Sequence, residues 1–298
     1  MATAKTKKKT VKKSSPKKST AKKTVTTTKV GTQNTKVFAG FFARKFDPNE
    51  NILTIFKTPK IYGAIVGELV GTMLLAIFLL TLGVQPLYII FGTIAITIAV
   101  FALSGANLNP FITVGMMASR RMSAIRGVLY ILAQVLGAWL GLLIINSFRL
   151  GSGTSIELPQ MTAITGETFW AVTLIELFGA IFIGFFFARA LRYKKNVATF
   201  ALTVTGGITF AIIFGIVVSQ SYFEMTNSFI FNPAIALMYQ ILPSSAASFG
   251  ALMGNVMMAL LAYVIFPMIG GVIGFYLADF ASKLAGEKCD CGYCKDCK

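Results

Sequence analysis

Histidine is absent from the 298 residues, and acidic side chains are scarce: 11 Asp+Glu stand against 28 Lys+Arg, a formal net charge of +17. Without histidine, Ser-His-Asp and Cys-His nucleophilic catalysis and histidine-ligated metal sites are excluded. Charge of either sign is thin, at 13% of residues against 55% hydrophobic, and mean hydropathy is +0.71. A soluble domain of this size rarely carries so few charges, so the chain reads as one that lives in lipid. Cysteine is missing from the first 288 residues and then occurs four times in the last ten.

Residues 1–36 lack any acid or aromatic side chain but hold twelve lysines among many Thr and Ser. Such a stretch buries too little apolar surface to offset its ordering entropy, so disorder is expected. No apolar run follows within thirty residues, which argues against a secretory signal. Three roles compete: nucleic-acid binding by counterion release, contact with anionic lipid headgroups, and a solvated end that fixes topology. No aromatics interleave with the lysines to stack on bases, so reading of nucleic-acid sequence is disfavoured. The topological role is preferred, with lipid contact next. Residues 37–60, with Phe38, Phe41, Phe42, Arg44, Lys45 and Phe46, read as an amphipathic lead-in at the membrane surface.

What the chain has in abundance is long apolar runs. A membrane-crossing helix needs about 20 mostly apolar residues, and six segments qualify: 61–82, 86–105, 125–147, 168–190, 198–219 and 250–278. Between them lie two shorter apolar pieces opened by Asn-Pro, Asn109–Ala118 and Asn232–Leu242. Ten helical residues reach roughly 15 Å, half of a hydrocarbon core about 30 Å thick, so these read as re-entrant half-helices. The tail, Arg120/Arg121/Arg126 and Arg189/Arg192/Lys194/Lys195 alternate with segments 83–85, 148–167 and 220–231, whose only basic residue is Arg149. The positive-inside rule then places both termini in the cytoplasm with an even number of spans between them.

The chain also repeats internally. Gly67-Glu68-Leu69-Val70-Gly71 resembles Ile175-Glu176-Leu177-Phe178-Gly179, and Leu108-Asn109-Pro110-Phe111 resembles Phe231-Asn232-Pro233-Ala234. Gln134-Val135-Leu136-Gly137 sits where Pro267-Met268-Ile269-Gly270 sits in the second half. Three spans and one half-helix per repeat force the copies into opposite orientations, with a site at the midplane between them. The expected fold is an all-α membrane protein: six transmembrane helices and two re-entrant half-helices in an inverted repeat. Its expected parts are a basic cytoplasmic tail with its lead-in (1–60), a channel domain (61–280) and a cysteine-containing cytoplasmic tail (281–298).

Asn is a good N-cap and Pro is tolerated at the first helical position, so each Asn-Pro starts a helix. In an inverted repeat the two N-termini meet head to head, where their positive dipole ends disfavour cations. The amides of Asn109 and Asn232 would then donate to a passing molecule. A water accepting from both turns its oxygen to the centre and breaks a proton wire.

Ser104-Gly105-Ala106-Asn107-Leu108-Asn109-Pro110 resembles the first signature loop of the aquaporin (major intrinsic protein) family, and Asn232-Pro233-Ala234 resembles its second. Glu68-Leu69-Val70-Gly71-Thr72, Ala133-Gln134-Val135-Leu136-Gly137 and Pro267-Met268-Ile269-Gly270 resemble its first, third and sixth spans. The resemblance covers about residues 61–280. It implies a passive channel for water or small neutral solutes, ammonia or glycerol-type solutes among them, without catalysis, in a cell membrane and usually as a homotetramer. Two departures stand out. Phe111 occupies the usual alanine place of the first box, and Ile235 stands where the family carries the arginine of its selectivity constriction. Ungapped counting puts the span-two constriction position at Ile89, and a two-residue gap puts it at Phe91. The remaining candidates are Phe214 and Phe229. Such a constriction is apolar on every side, which casts doubt on water-only selectivity.

Glu68 and Glu176 lie inside spans, where ionisable groups are functional by default. A proton relay is one reading. Acceptance of hydrogen bonds from the neighbouring re-entrant loop, with Gln134 in a similar bracing role, is preferred. Cys289, Cys291, Cys294 and Cys297 form C-x-C-x2-C-x2-C, which suits thiolate binding of Zn²⁺ or another soft metal better than disulfides, with incidental cysteines on a solvated tail as the alternative. Two rival functions remain. One is a membrane-anchored binding protein with a vestigial pore whose lysine-rich tail tethers nucleic acid or anionic lipid. The other is a secondary transporter, disfavoured because Glu68 and Glu176 are the only acids inside the spans.

Overall fold

The computed structural model describes residues 55–57, 59–82, 85–152, 164–193, 195–226, 228–241 and 249–287. The lysine-rich segment, most of the lead-in and the four cysteines lie outside the described residues. Within them all regular structure is helical. The first repeat comprises α1 (Lys60–Leu82), α2 (Pro86–Ser104), the short α3 (Pro110–Ala118) and α4 (Ala124–Ser152). The second comprises α5 (Phe169–Ala190), α6 (Val197–Phe223), the short α7 (Pro233–Ala236), α8 (Phe249–Leu260) and α9 (Phe266–Leu284). Among the described residues, six helical stretches are long and apolar enough to cross a bilayer, with α8 and α9 counted as one.

Local chemistry sets several of these ends. α2 opens on Pro86, whose missing N–H would be unpaired in a first turn anyway, and closes on Gly105 in the left-handed conformation (φ 88°). α6 starts on Asn196, whose side chain accepts the Thr199 N–H at 3.1 Å. The last span runs further than the sequence reading, to Leu284, and is interrupted by a π turn at Leu261–Ile265. Pro267 explains the position of that turn: it offers no N–H to the preceding turn, and the wider winding makes room for its ring. The second half-helix also differs from expectation. It is α-helical only to Ala236 and continues as a π turn over Leu237–Ile241.

The two repeats pack in matching ways. α1 lies against α4 as α5 lies against α9, α2 and α6 meet between the repeats, and each half-helix rests on the last span of the other repeat. Small residues permit the tight crossings. A Cβ at Gly137 on α4 would collide with the Leu69 carbonyl of α1, and one at the matching Gly270 on α9 would stand 2.5 Å from the Leu177 carbonyl of α5. Backbone cannot rotate out of the way as a side chain can. Gly137→Ala is therefore expected to destabilise by about 1–3 kcal/mol, the usual cost of overpacking. Gly206→Ala, where no atom lies within 4 Å, should instead hold or gain stability through helix propensity. Thermal unfolding in detergent checks both, and equal midpoints would contradict the close-crossing account.

Charge gathers at one end of the bundle. Arg121 pairs with Asp279 through both guanidinium nitrogens (2.5 and 3.1 Å), tying the chain after α3 to α9. Arg189 and Arg192 each reach Glu287 at 2.6 Å. The hydrogen bond from Arg189 holds the Glu287 carboxyl below the usual carboxylate range.

Candidate functional site

The two Asn-Pro boxes form one construction made twice. Asn109 caps α3 in extended geometry (φ −154°), and its Oδ1 accepts the Phe111 N–H at 3.1 Å. Asn232 caps α7 in the same way (φ −152°), accepting from Ala234 at 3.1 Å and Ile235 at 3.4 Å. Pro110 and Pro233 fill the first helical positions. The side-chain amides then cross the repeat boundary. Asn109 Nδ2 donates to the Phe231 carbonyl at 2.7 Å, and Asn232 Nδ2 donates to the Leu108 carbonyl at 2.9 Å. An amide nitrogen carries two hydrogens, so each asparagine keeps a second donor.

Leu108 and Phe231, the residues just before the caps, both adopt left-handed backbone (φ 54° and 51°). That conformation costs a non-glycine residue about 1–2 kcal/mol and needs support on both sides. The carbonyl side is held by the opposite asparagine. A buried carboxylate of the same repeat holds the N–H side: Glu68 accepts from Asn107 at 3.0 Å and Leu108 at 2.7 Å, and Glu176 accepts from Ile230 at 2.6 Å and Phe231 at 3.1 Å. Both glutamates are 0% exposed. The repeats then diverge. Gln134 Nε2 donates to Glu68 at 2.7 Å and to Thr113 Oγ1 at 3.0 Å, whereas Pro267 fills the matching place in the second repeat and offers no donor.

Between the repeats runs a cavity of about 510 Å³ with both asparagines in its wall. Among the described residues, none that lines it carries a charge. α6 contributes Val204, Ile208, Ile212 and Ile216, one per turn, while α2 contributes Thr93, Ile96 and Thr97. Of the constriction candidates, Phe229 and Ile235 line this cavity and Ile89, Phe91 and Phe214 do not. The reason is helical phase. Phe214 sits two residues, about 200°, from Ile212, and its ring packs against Phe182 at 5.3 Å. Phe91 is 66% exposed on the outer face of α2. Ile89 shares the inner face with Thr93 but is fully enclosed, its carbonyl accepting the Thr93 hydroxyl. Phe111 is likewise buried, with its backbone carbonyl against Gly271, so the unusual box residue enlarges the core and stays out of the cavity wall. Pro110, Pro233 and Ala234 are buried beside the caps. Sequence analysis missed Thr93 and Thr97, although two hydroxyls four residues apart on an apolar helix were a signal that could have found them. Ile212 and Ile216 carry no such signal.

Six apolar spans in two inverted copies, with capped half-helices meeting at an uncharged cavity, define a membrane channel architecture. The sequence profile described as Major intrinsic protein matches residues 55–277, and the chain belongs to that family of integral, multi-pass membrane channels. It is 25% identical over 202 residues to glycerol uptake facilitator protein-like 6 of Lactiplantibacillus plantarum, covering 65% of this chain and 82% of that protein. To aquaporin PIP2-5 of Oryza sativa subsp. japonica it is 40% identical over 47 residues, 16% of this chain and 17% of the plant protein's length. The X-ray structure of the aquaglyceroporin from Plasmodium falciparum shares the fold, with a TM-score of 0.51 at 19% identity over 76% of this chain and 97% of that one. Among the described residues no cluster of His, Cys, Asp or Glu could hold a metal ion.

Proposed function

We propose that this protein is a passive channel for water and small neutral solutes. The observation that carries this reading is the pair of asparagines, each engaged once across the repeat boundary and each with a second N–H at the wall of an uncharged cavity. Two donors at the meeting point of two helix N-termini hold a solute oxygen or nitrogen and repel cations. Among the described residues the wall offers hydroxyls and amides but no histidine, cysteine, lysine or carboxylate to activate them, so transport without reaction is the reading. Family likeness supports a homotetramer with one pore per subunit, and the basic end of the bundle supports cytoplasmic termini in a cell membrane. The glycerol named in a relative's title and ammonia both belong among the solutes to test. Stopped-flow measurements on reconstituted vesicles should show at least one of water, glycerol and ammonia crossing faster than through protein-free vesicles. Equality with bare lipid for all three would overturn the channel.

The cysteine segment enters this reading as a separate metal site in the cytoplasm. Cys289, Cys291, Cys294 and Cys297 would supply four thiolates to one Zn²⁺ or comparable soft ion. Protein purified reduced and without chelator should carry close to one equivalent per chain and lose it on acidification, because thiolates must be deprotonated to bind. Changing all four to serine should remove the metal and leave permeability intact. A metal-free protein at neutral pH would count against the site.

A further inference from the structure

Twelve lysines in residues 1–36 take no part in the channel reading, and their spacing is informative. Pairs stand at Lys7-Lys8, Lys12-Lys13, Lys17-Lys18 and Lys22-Lys23, a five-residue period filled in mainly by small side chains. Five residues match neither the helical repeat of 3.6 nor the strand repeat of two, so the pairs form no single charged face. A charge array without a face suits a diffuse negative layer. A groove read through its base edges asks instead for arginine forks, amides or stacking rings, and residues 1–36 offer only Gln33 and Asn34 of these. Nor does topology account for the lysines. Basic residues set orientation within about 15–20 residues of a span end, and α1 begins at Lys60, 24 positions after Lys36.

The bundle end from which this segment departs adds to the same charge. Lys57 and Lys60 at the start of α1, Arg120 after α3, Lys195 before α6 and Lys283 in the last turn of α9 are all exposed there. Among the described residues none of the five has a carboxylate within ion-pair reach, because both acids of that end are taken: Asp279 by Arg121, and Glu287 by Arg189 and Arg192. Asp47 and Glu50 are the only acids ahead of α1. The described surface therefore offers the lysines no counter-charge at this end, and the next surface within their reach is the bilayer's.

Chain length favours lipid over nucleic acid as that counter-charge. Eighteen residues separate Lys36 from Ile55, the first described residue. Even fully extended they span at most roughly 65 Å. Headgroups of the surrounding bilayer lie permanently inside that reach, an effective concentration of the millimolar order, whereas a nucleic acid must be met from solution. Phe38, Phe41, Phe42 and Phe46 fall within the same eighteen residues and are side chains of the kind that enter the headgroup layer.

We propose that residues 1–36, with Lys57, Lys60, Arg120, Lys195 and Lys283, form a binding surface for anionic phospholipid headgroups of the bilayer that holds the protein. Each lysine brought to such a surface favours the attached state about fivefold, so a few engaged pairs suffice. Salt weakens the attachment steeply, because exposed charges are screened beyond about 8 Å at physiological ionic strength and beyond about 3 Å at 1 M. The surface goes beyond the channel reading and does not depend on it.

The test uses the full chain in phosphatidylcholine nanodiscs, with or without phosphatidylglycerol. A donor dye sits on Thr3→Cys, with Cys289, Cys291, Cys294 and Cys297 changed to serine so that the label is unique, and a headgroup-labelled lipid carries the acceptor. Energy transfer should be about twofold higher or more when phosphatidylglycerol is present. It should return to the phosphatidylcholine level at about 1 M salt. Replacing the four lysine pairs with glutamine, outside the helical bundle and so without risk to its fold, should remove the rise. Equal transfer in the two lipids overturns the proposal, as does a rise that survives high salt or the glutamines. A short DNA duplex offered at the phosphate concentration of the anionic lipid should leave transfer unchanged. Loss of transfer on adding it would make nucleic acid the partner and overturn the lipid surface. Solute flux does not enter this readout, so a protein that fails to conduct leaves the lipid surface standing, and the converse holds as well.

Discussion

Glu68→Ala should prevent the first re-entrant loop from assembling and leave little folded channel. Four donors converge on this carboxylate: the N–H groups of Asn107 and Leu108, the amide of Gln134 and the hydroxyl of Ser104. All are buried, and each donor left unpaired costs roughly 1–3 kcal/mol. The left-handed turn at Leu108 would lose its support on the N–H side at the same stroke. Glu176→Ala removes acceptors from two N–H groups and should be milder, since fewer donors are stranded. Glu68→Gln should be milder still. Gln134 Oε1 has no partner in the native structure and would accept the new amide once the two side chains reorient. The expected order of yield and thermal stability in detergent is native, Glu68→Gln, Glu176→Ala, Glu68→Ala. A Glu68→Ala protein as stable as native would end the bracing account.

Asn109→Ala and Asn232→Ala act on function more than on fold. Each removes a helix cap, worth about 0.5–2 kcal/mol, together with a bond across the repeat boundary. The carbonyl released at Phe231 or Leu108 faces the cavity, where water can replace the lost donor, so most of the protein should still fold. What disappears is the central pair of donors. Flux is expected to fall, or protons to leak as an uninterrupted chain of water forms. Asn109→Asp separates cap from donor, because aspartate caps a helix as well as asparagine does but offers no hydrogen. It also sets a negative charge where two helix N-termini meet, and cation leak should rise. Well-folded Asn109→Ala/Asn232→Ala protein with native flux and native proton exclusion would remove the asparagines from the pore.

Much of this was written in the sequence, and what was not shares one physical cause. The spans were legible because length and apolarity alone mark them: α1, α2 and α4 begin within a residue of their expected starts. The half-helix starts were legible because capping is local chemistry, carried by Asn109-Pro110 and Asn232-Pro233 themselves. The cavity wall was not. In a soluble helix the apolar stripe reveals the inward face, but α6 is apolar all round, so lipid and lumen faces read alike. The sequence reading chose Phe214 and passed over Ile212, because nothing distinguished the two until packing fixed the rotation of the helix. The bridge from each asparagine to the opposite loop also left no trace in sequence, since its acceptors are backbone carbonyls and any residue supplies one.

The reciprocal bonds at the centre also order events as the chain is made. The Leu108 carbonyl waits for Asn232, 124 residues later, and Asn109 waits 122 residues for the carbonyl of Phe231. On a ribosome adding about 5–20 residues each second, that separation is several seconds or more. Through that interval a first half-helix already inserted in lipid has its Glu68 brace in place and its crossing partner unmade. The nascent first half therefore rests in the bilayer with a loop held on one side only, in need of water, lipid headgroups or an insertion factor as a stand-in. Truncation anywhere before residue 232 leaves it in that condition permanently, which marks such fragments for membrane quality control.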